Sequence, residues 1–466
     1  MAKNHPLGKN KKAKVSPARQ AVLVTLRQVF AGQSLSAVQR QTIDKLEDRR
    51  DRGLANEVVN GVLRWRWQLE FFVCQLLSKP LKQKDSDVQL ILMMALYELN
   101  ECRTPDYAII NEAVELVRSP SKIGAGKKWA AGLVNAVLRR FSREKDQIIS
   151  SMTEQQAIYS HPWWLLKKLK QDWPDDWQQI VSANNKRPAF WLRVNQLQHS
   201  VGDYRELLTA SDINIADTCD DLPMDAVASS AVCLEKGIDV RLLPGFSDGA
   251  VSVQDIGAQL TAGLLNVSAV DSVSDCRVLD LCAAPGGKTC HLLEQHLNLE
   301  MVTAVELEEK RMLRVTENLQ RLKLESRANL IVGDAREPQQ WWDGKKFDRI
   351  LVDAPCSASG IIRRHPDIKT LRRDTDIEPL SLLQSEILVS AWQMLESGGE
   401  LLYVTCSVFR DENQHQIELF LAAHADAAEI VIDAQWGKAC SHGRQLLPGE
   451  MAADGFYFCR LKKIIA

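Results

Sequence analysis

The sequence predicts a multidomain protein with an all-α front, a small α+β module and a C-terminal α/β domain built on a parallel sheet. Three observations carry that expectation. The 466 residues amount to about three folded units at roughly 150 residues each. Apolar residues recur at helical spacing from about position 16 to 150. After about position 266, five strand-like runs alternate with helical stretches, which is the pattern of βαβ units. Hydrophobic residues make up 45% and charged residues 25%, so collagen-like, wholly disordered and disulfide-scaffold chains are excluded. The net charge of −2 hides a division: residues 1–150 hold 26 basic and 15 acidic side chains (+11), and the remainder 32 and 45 (−13). A basic front points to a polyanionic partner, and an acidic back to a different task.

Residues 1–15 form a basic arm carrying Lys3, Lys9, Lys11, Lys12 and Lys14 with no acid. Residues 16–150 read as a helical bundle, with stripes such as Val22, Leu26, Val29 and Phe30, then Val58, Val62, Trp65 and Leu69, then Leu90, Met93 and Tyr97. Arg64 and Arg66 interleave with Trp65 and Trp67. That pattern fits both an RNA-contacting patch and core tryptophans flanked by snorkelling arginines. Residues 151–189 form a tryptophan-rich helical linker (Trp163, Trp164, Trp173, Trp177) whose aromatics suit either base stacking or burial between domains. Residues 190–265 contain short strands at 191–194 and 231–234 with one or two helices. In the last domain, 266–466, strands are expected at 277–281, 301–307, 328–333, 349–353 and 400–405, giving a Rossmann-like sheet. A final strand at 455–462 is expected to close it as an antiparallel edge.

No two of the eleven cysteines stand in a CxxC spacing, so a zinc site has no support and no metal is expected. The odd count and irregular spacing fit reduced thiols in a cytoplasmic setting. The longest apolar stretch, positions 90–97, is far short of the roughly 20 residues that cross a bilayer. A monomer away from membranes is expected.

Ligands of a parallel α/β sheet bind at the C-terminal ends of its strands. The first strand runs into Asp280-Leu281-Cys282-Ala283-Ala284-Pro285-Gly286-Gly287-Lys288-Thr289, with a helix after it. Small residues there admit a ligand close to the backbone, and the helix N-terminus offers free N–H groups to an anion. Cys282 stands where a P-loop needs glycine, and the GxGxxG of a dinucleotide site is absent. The second strand ends at Glu306, placed for ribose hydroxyls, and the third at Asp334, placed for an adenine amine. A nucleoside with a charged, non-phosphate tail fits these groups, and S-adenosylmethionine is such a ligand. The fourth and fifth strands end in Asp353-Ala354-Pro355-Cys356-Ser357 and Thr405-Cys406-Ser407. A lone cysteine at a strand end is ordinarily packing. Two beside one ligand edge point to chemistry.

DLCAAPGGKT, DAPCSASGIIRRHPDIK, VTCS and the terminal DGFYF, with RVN at 193–195 and VQDIGAQ at 253–259, resemble the RNA 5-methylcytosine methyltransferases from about Phe190 onward. Residues 16–150 resemble the NusB-like RNA-binding helical domain. Glu306 stands where that family usually carries aspartate. The resemblance implies transfer of a methyl group from S-adenosylmethionine to carbon 5 of a cytosine in small-subunit ribosomal RNA. It makes Cys406 the nucleophile that attacks carbon 6, Cys356 the group that releases the product, and Asp353 the partner of N3. The cofactor site would comprise 282–288, Glu306, Asp334 and Asp353, with Arg193, Arg363 and Arg364 on RNA. Arg363, Arg364, Lys369, Arg372 and Arg373 also read as a basic strip for phosphates or as solvated arginines. Spacing alone does not tell the two thiols apart. A non-catalytic RNA-holding factor lacks a reason to keep both thiols and Asp353, and a nicotinamide enzyme lacks its glycine motif.

Overall fold

An apolar side chain every three or four positions gives the front of the chain its helices, because each buries one stripe against its neighbours. The structure, a computed structural model, describes residues 15–120, 122, 124–217, 230–270, 272–273 and 275–464. The expected basic arm, except for Val15, and Cys219 lie outside the described residues. The chain divides into two compact units, one running to Lys167 and taking in His365–Leu371, the other formed by Lys168–Arg364 and Arg372–Ala466. The tryptophan-rich stretch is therefore split between the units rather than standing as a linker of its own.

In the helical unit the principal helices are Pro17–Phe30, Arg49–Arg64, Arg66–Leu76, Ser86–Glu101, Asp106–Arg118 and Ala131–Ser150. Val22, Leu26, Val29, Val58, Val62, Met93 and Tyr97 share one core. Asp48 caps the second helix by accepting from the backbone N–H groups of Arg50 and Asp51. The Arg-Trp-Arg-Trp run is the joint between two helices, broken at Trp65. Arg66 lies over the Phe30 and Trp67 rings, with distances of 4.6 and 5.1 Å to the centroids, and donates to Glu70 at 2.9 Å. Arg64 is buried whereas Trp65 and Trp67 are only half-buried, so the run is not a pair of core tryptophans flanked by two snorkelling arginines. Lys369, expected on a basic strip, is instead buried in this unit and donates to the carbonyls of Arg64 (2.6 Å) and Ser160 (2.8 Å). Burial, with Arg64 adding to it, pushes its pKa well down.

The second unit holds two sheets. The small one orders β2 (Ala231–Leu234), β1 (Phe190–Val194) and β3 (Val251–Val253), all antiparallel. In the large one β4 (Val278–Leu281), β5 (Val302–Glu306), β6 (Ala328–Val332), β7 (Phe347–Asp353) and β8 (Leu395–Thr405) are parallel, in the order β6-β5-β4-β7-β8. Strand alternation sorts their side chains into two cores. Val278, Leu402 and Val404 enter one, while Leu279, Leu281, Leu401 and Tyr403 enter the other. Both faces are thus covered, which is why these strands read as continuous apolar runs. Three further strands, β9 (Ala427–Ile430), β10 (Lys438–Ala439) and β11 (Arg444–Leu446), precede β12 (Phe456–Lys463). β12 runs antiparallel beside β8 as expected, but it is not the edge: β9 and β11 pair along its far side. Those short strands carry no apolar run long enough to announce them.

Candidate active site

Strand order reverses between β4 and β7: the chain moves from β4 outward to β5 and β6, then returns to β7 and β8 on the other flank. Such a reversal opens a crevice at the carboxyl ends of the strands. A cavity of about 870 Å³ lies there, lined among others by Ala284, Glu306, Asp334, Asp353, Cys356 and Cys406. The topology therefore brings together the ends of β4, β5, β6, β7 and β8.

The loop after β4 is shaped by its own backbone. Cys282 has φ of 64° and Gly286 has φ of 94°, left-handed values that turn the chain into the helix Gly287–Gln295. A side chain on Gly286 would also meet Val315 at 3.1 Å. The Ala283 N–H donates to the Val305 carbonyl at 3.0 Å, and the Ala284 N–H to Glu306 Oε2 at 3.3 Å. Glu306 is buried, accepts from the Glu308 N–H at 3.2 Å and pairs with Arg311 at 3.1 Å. It thus fixes the loop while facing the cavity. Asp334 reaches the cavity rim but is forked by Arg336, at 2.7 and 3.0 Å, and those bonds hold its carboxyl below the usual range. Beneath the loop, Asp280 is fully buried and accepts from Thr289 at 2.5 Å. Burial, with Asp353 and Glu306 adding to it, pushes its carboxyl up to about 7.

S-adenosylmethionine fits this crevice. The volume lies in the range of small-molecule sites, roughly 300–1,000 Å³. Glu306 places a carboxylate on the cavity wall where ribose hydroxyls are expected, the loop lets backbone approach closely, and Leu307 and Leu383 supply apolar wall.

β7 and β8 are neighbours in register, Asp353 opposite Val404, so their terminal loops lie side by side. Cys356 Sγ and Cys406 Sγ are 3.4 Å apart, in hydrogen-bond contact. Cys356 is buried, and its thiol is pushed well up by the bond to Cys406, by burial, by the charge of Cys406 and by that of Glu412. Cys406 remains partly exposed. Lys288 Nζ donates to Asp353 Oδ2 at 2.7 Å. Burial opposes the lysine charge, but Asp353, Cys406 and Asp280 outweigh it and hold the ammonium above its usual value. Asp353 is thus met by a cation already in place, rather than standing as a lone acid.

Sequence reasoning missed the supports behind the thiols. Glu412 is buried and accepts from the Ser357 N–H (2.7 Å), Ser357 Oγ (2.5 Å), Gln384 Nε2 (3.1 Å) and Ser407 Oγ. Arg372 donates to the carbonyls of Cys356 and Ser357, both at 3.2 Å. Gly360 sits where a Cβ would lie 2.2 Å from the Gly455 carbonyl oxygen and 2.9 Å from that of Cys406. A lone glutamate six positions past Cys406 belongs to no pattern that could have flagged it.

The three arginines expected on RNA are each paired within the fold. Arg193 is buried, forking Glu294 at 2.8 Å through two bonds and donating to the Gly287 carbonyl at 2.8 Å. Arg363 donates to Asp454 at 2.6 Å, and Arg364 to Asp454 at 2.7 Å and Asp255 at 2.9 Å. Their charges face buried carboxylates, with Arg364 a quarter exposed and Arg193 and Arg363 almost fully enclosed. They tie the DGFYF segment and the VQDIGAQ segment to the loop after Cys356.

A family described as 16S rRNA methyltransferase RsmB/F matches residues 267–462, the NusB family residues 16–143, and a Methyltr_RsmF/B-like, ferredoxin-like domain residues 161–241. The ribosomal RNA small subunit methyltransferase B of Pseudomonas putida is 45% identical over 96% of this chain and 99% of its own length. That of Klebsiella pneumoniae is 43% identical over 98% and 99%. Among solved structures, PH0851 matches with a TM-score of 0.76 at 22% identity, covering 97% of this chain and all (100%) of that one. NSun6 from Pyrococcus horikoshii with SFG matches at 0.56 and 19% identity, over 66% of this chain and 99% of that one. These two likenesses show the fold. With such identity across nearly its whole length, this chain belongs to the S-adenosylmethionine-dependent ribosomal RNA small subunit methyltransferase B family.

Proposed function

We propose that the chain methylates carbon 5 of a cytosine in small-subunit ribosomal RNA through a covalent adduct between Cys406 and carbon 6 of the base. The supporting observation is the pair of thiols 3.4 Å apart on the wall of a cavity that Asp353 and the cofactor loop also line.

Carbon 5 of cytosine is too weak a nucleophile to take a methyl group unaided. Addition of the Cys406 thiolate to carbon 6 pushes electrons toward N3 and leaves an enamine whose carbon 5 attacks. Asp353 and Lys288, joined at 2.7 Å, face N3 and the exocyclic amine and supply the proton that N3 takes up. Bound S-adenosylmethionine supplies an electrophilic methyl group on a sulfonium. Once carbon 5 carries that methyl group, the Cys356 sulfur, having released its own proton to solvent, takes the carbon-5 proton. The electrons of that C–H bond form the carbon 5–carbon 6 double bond, the carbon 6–sulfur bond breaks to return the Cys406 thiolate, and N3 gives up the proton it had gained. Cys406 suits the first role because it is the more open of the two thiols and interacts with the Lys288 ammonium. Cys356 suits the second because it lies 3.4 Å from Cys406 and its raised thiol keeps it from competing for carbon 6 at the outset. The target base must leave its stack to enter, at roughly a few kcal/mol, which favours a loop or a partly opened segment of the RNA.

RNA carrying 5-fluorocytosine tests this, because fluorine cannot leave as the proton does and the adduct stalls. Wild-type protein and Cys356→Ala form a covalent complex, and Cys406→Ala forms none. A complex that survives Cys406→Ala and disappears with Cys356→Ala reverses the two roles, and no complex with any of the three removes the adduct altogether.

A further inference from the structure

Glu412 does not line the cavity and touches neither sulfur through any hydrogen bond among the described residues. Its carboxylate nevertheless holds both loops at once. Oε1 accepts from the Ser357 N–H at 2.7 Å and from Gln384 at 3.1 Å, and Oε2 from the hydroxyls of Ser357 and Ser407. Ser357 follows Cys356, and Ser407 follows Cys406. A carboxylate offers about four lone-pair sites, and four donors fill them. The group is therefore saturated and enclosed, which leaves it no acceptor capacity for acid–base work on a substrate.

The web extends outward. Ser359 and Ser407 hydroxyls are 3.0 Å apart, and the Val408 and Phe409 N–H groups donate to Ser359 and Ser407 at 3.0 Å each. Asn413 donates to the Ser407 carbonyl at 2.9 Å, and Tyr403 donates to the Glu412 carbonyl at 2.8 Å. Gln384 also donates to the Pro355 carbonyl at 2.9 Å. Every bond on this list ends on one of the two thiol-bearing loops or on their immediate supports.

We infer that Glu412 is a positioning residue that sets the mutual placement of the Cys356 and Cys406 sulfurs by tying Ser357 and Ser407 to one carboxylate. The inference rests on the reading that the two thiols divide one reaction between them. Glu412→Asp shortens the reach by one methylene, so it cannot span both serines. Glu412→Gln keeps the length: its carbonyl serves the Ser357 N–H and Gln384, and its amide donates to hydroxyls that turn to accept.

The full chain is assayed for kcat and for KM toward S-adenosylmethionine and RNA, with the folded fraction set by thermal unfolding. Glu412→Ala and Glu412→Asp lose about a hundredfold in kcat per folded molecule, as a misplacement near 1 Å does, with both KM values close to wild type. Glu412→Gln recovers at least about a tenth of the wild-type kcat. If Glu412→Ala does not fold, Ser357→Ala with Ser407→Ala removes the same two tethers and is read identically. A kcat per folded molecule within about threefold of wild type for Glu412→Asp and for the double serine variant overturns the inference. Adduct formation by wild type on 5-fluorocytosine RNA is measured alongside. Its absence defeats the thiol mechanism itself, whereas an adduct formed equally fast by Glu412→Asp defeats only the role given to Glu412.

Discussion

Replacing Arg363 by methionine separates a structural from an RNA-binding role for the arginines after Cys356. The Arg363 and Asp454 side chains are 5% and 1% exposed, and they are joined at 2.6 Å. Arg363 also donates to the Ala452 carbonyl. Removing one partner of a buried ion pair costs roughly 3–5 kcal/mol, because a buried charge is left behind. Asp454 keeps Arg364 at 2.7 Å, so the lower end, about 3 kcal/mol, is expected. With a urea m-value near 3 kcal/mol/M, the unfolding midpoint of the affected unit falls by about 1 M. RNA binding gives the second readout. Each phosphate contact contributes about 0.7–0.9 to the slope of log K against log salt, and Arg363→Met leaves that slope unchanged. A midpoint that stays put while the slope drops by about one contact refutes the burial argument and restores the phosphate grip.

Asp280 carries a pH signature. Its carboxyl is pushed up to about 7 in the folded chain, whereas an unfolded aspartate ionises near 3.9. Between about pH 4 and pH 7 the unfolded chain releases a proton that the folded chain keeps, so stability falls as pH rises through that window, by up to about 4 kcal/mol. Asp280→Asn keeps an acceptor for Thr289 and has no proton to release, so its urea midpoint gains on wild type between pH 5 and pH 7.5; parallel curves refute this. Gly360→Ala puts a methyl group against two carbonyl oxygens, at 2.2 and 2.9 Å, that belong to Gly455 and Cys406. The loops must part, and kcat per folded molecule falls by about a hundredfold; a wild-type kcat shows that they part at no cost to the thiols.

What the sequence disclosed depended on the range over which each feature is decided. β4 to β8 were readable because a buried parallel strand is a short apolar run between turn signals, and their ends delivered Cys282, Glu306, Asp353, Cys356 and Cys406 to one crevice. β9, β10 and β11 were not, since strands of two to four residues gain their stability from neighbours rather than from their own composition. Arg193, Arg363 and Arg364 looked like a polyanion site because charge is visible in sequence and its partners are not. Glu294, Asp255 and Asp454 lie about 100 positions away and close the ion pairs only in the fold. The capture of Lys369 by the helical unit, between Arg364 and Arg372 of the other, was invisible for the same reason.

The thiols show why this matters for chemistry. In sequence, Pro-Cys-Ser and Thr-Cys-Ser are close to equivalent, and nothing in their spacing ranks one sulfur above the other. The fold breaks the symmetry with three elements of quite different origin. Cys356, in the loop that follows β7, is the buried one of the two, and burial disfavours its charged form. The Glu412 carboxylate stands on that side and repels a second negative charge. Lys288, from the helix after β4, has Cys406 among the groups that hold its ammonium above the usual value. On the mechanism proposed above, the enclosed Cys356 keeps its proton at the outset and Cys406, the more open of the two, attacks first. The proposed division of roles then rests on environment rather than on order along the chain. Exchanging Glu412 for a neutral residue of equal length removes one cause of the raised Cys356 thiol, which alkylation of Cys356 at fixed pH reads as a faster rate; an unchanged rate refutes this.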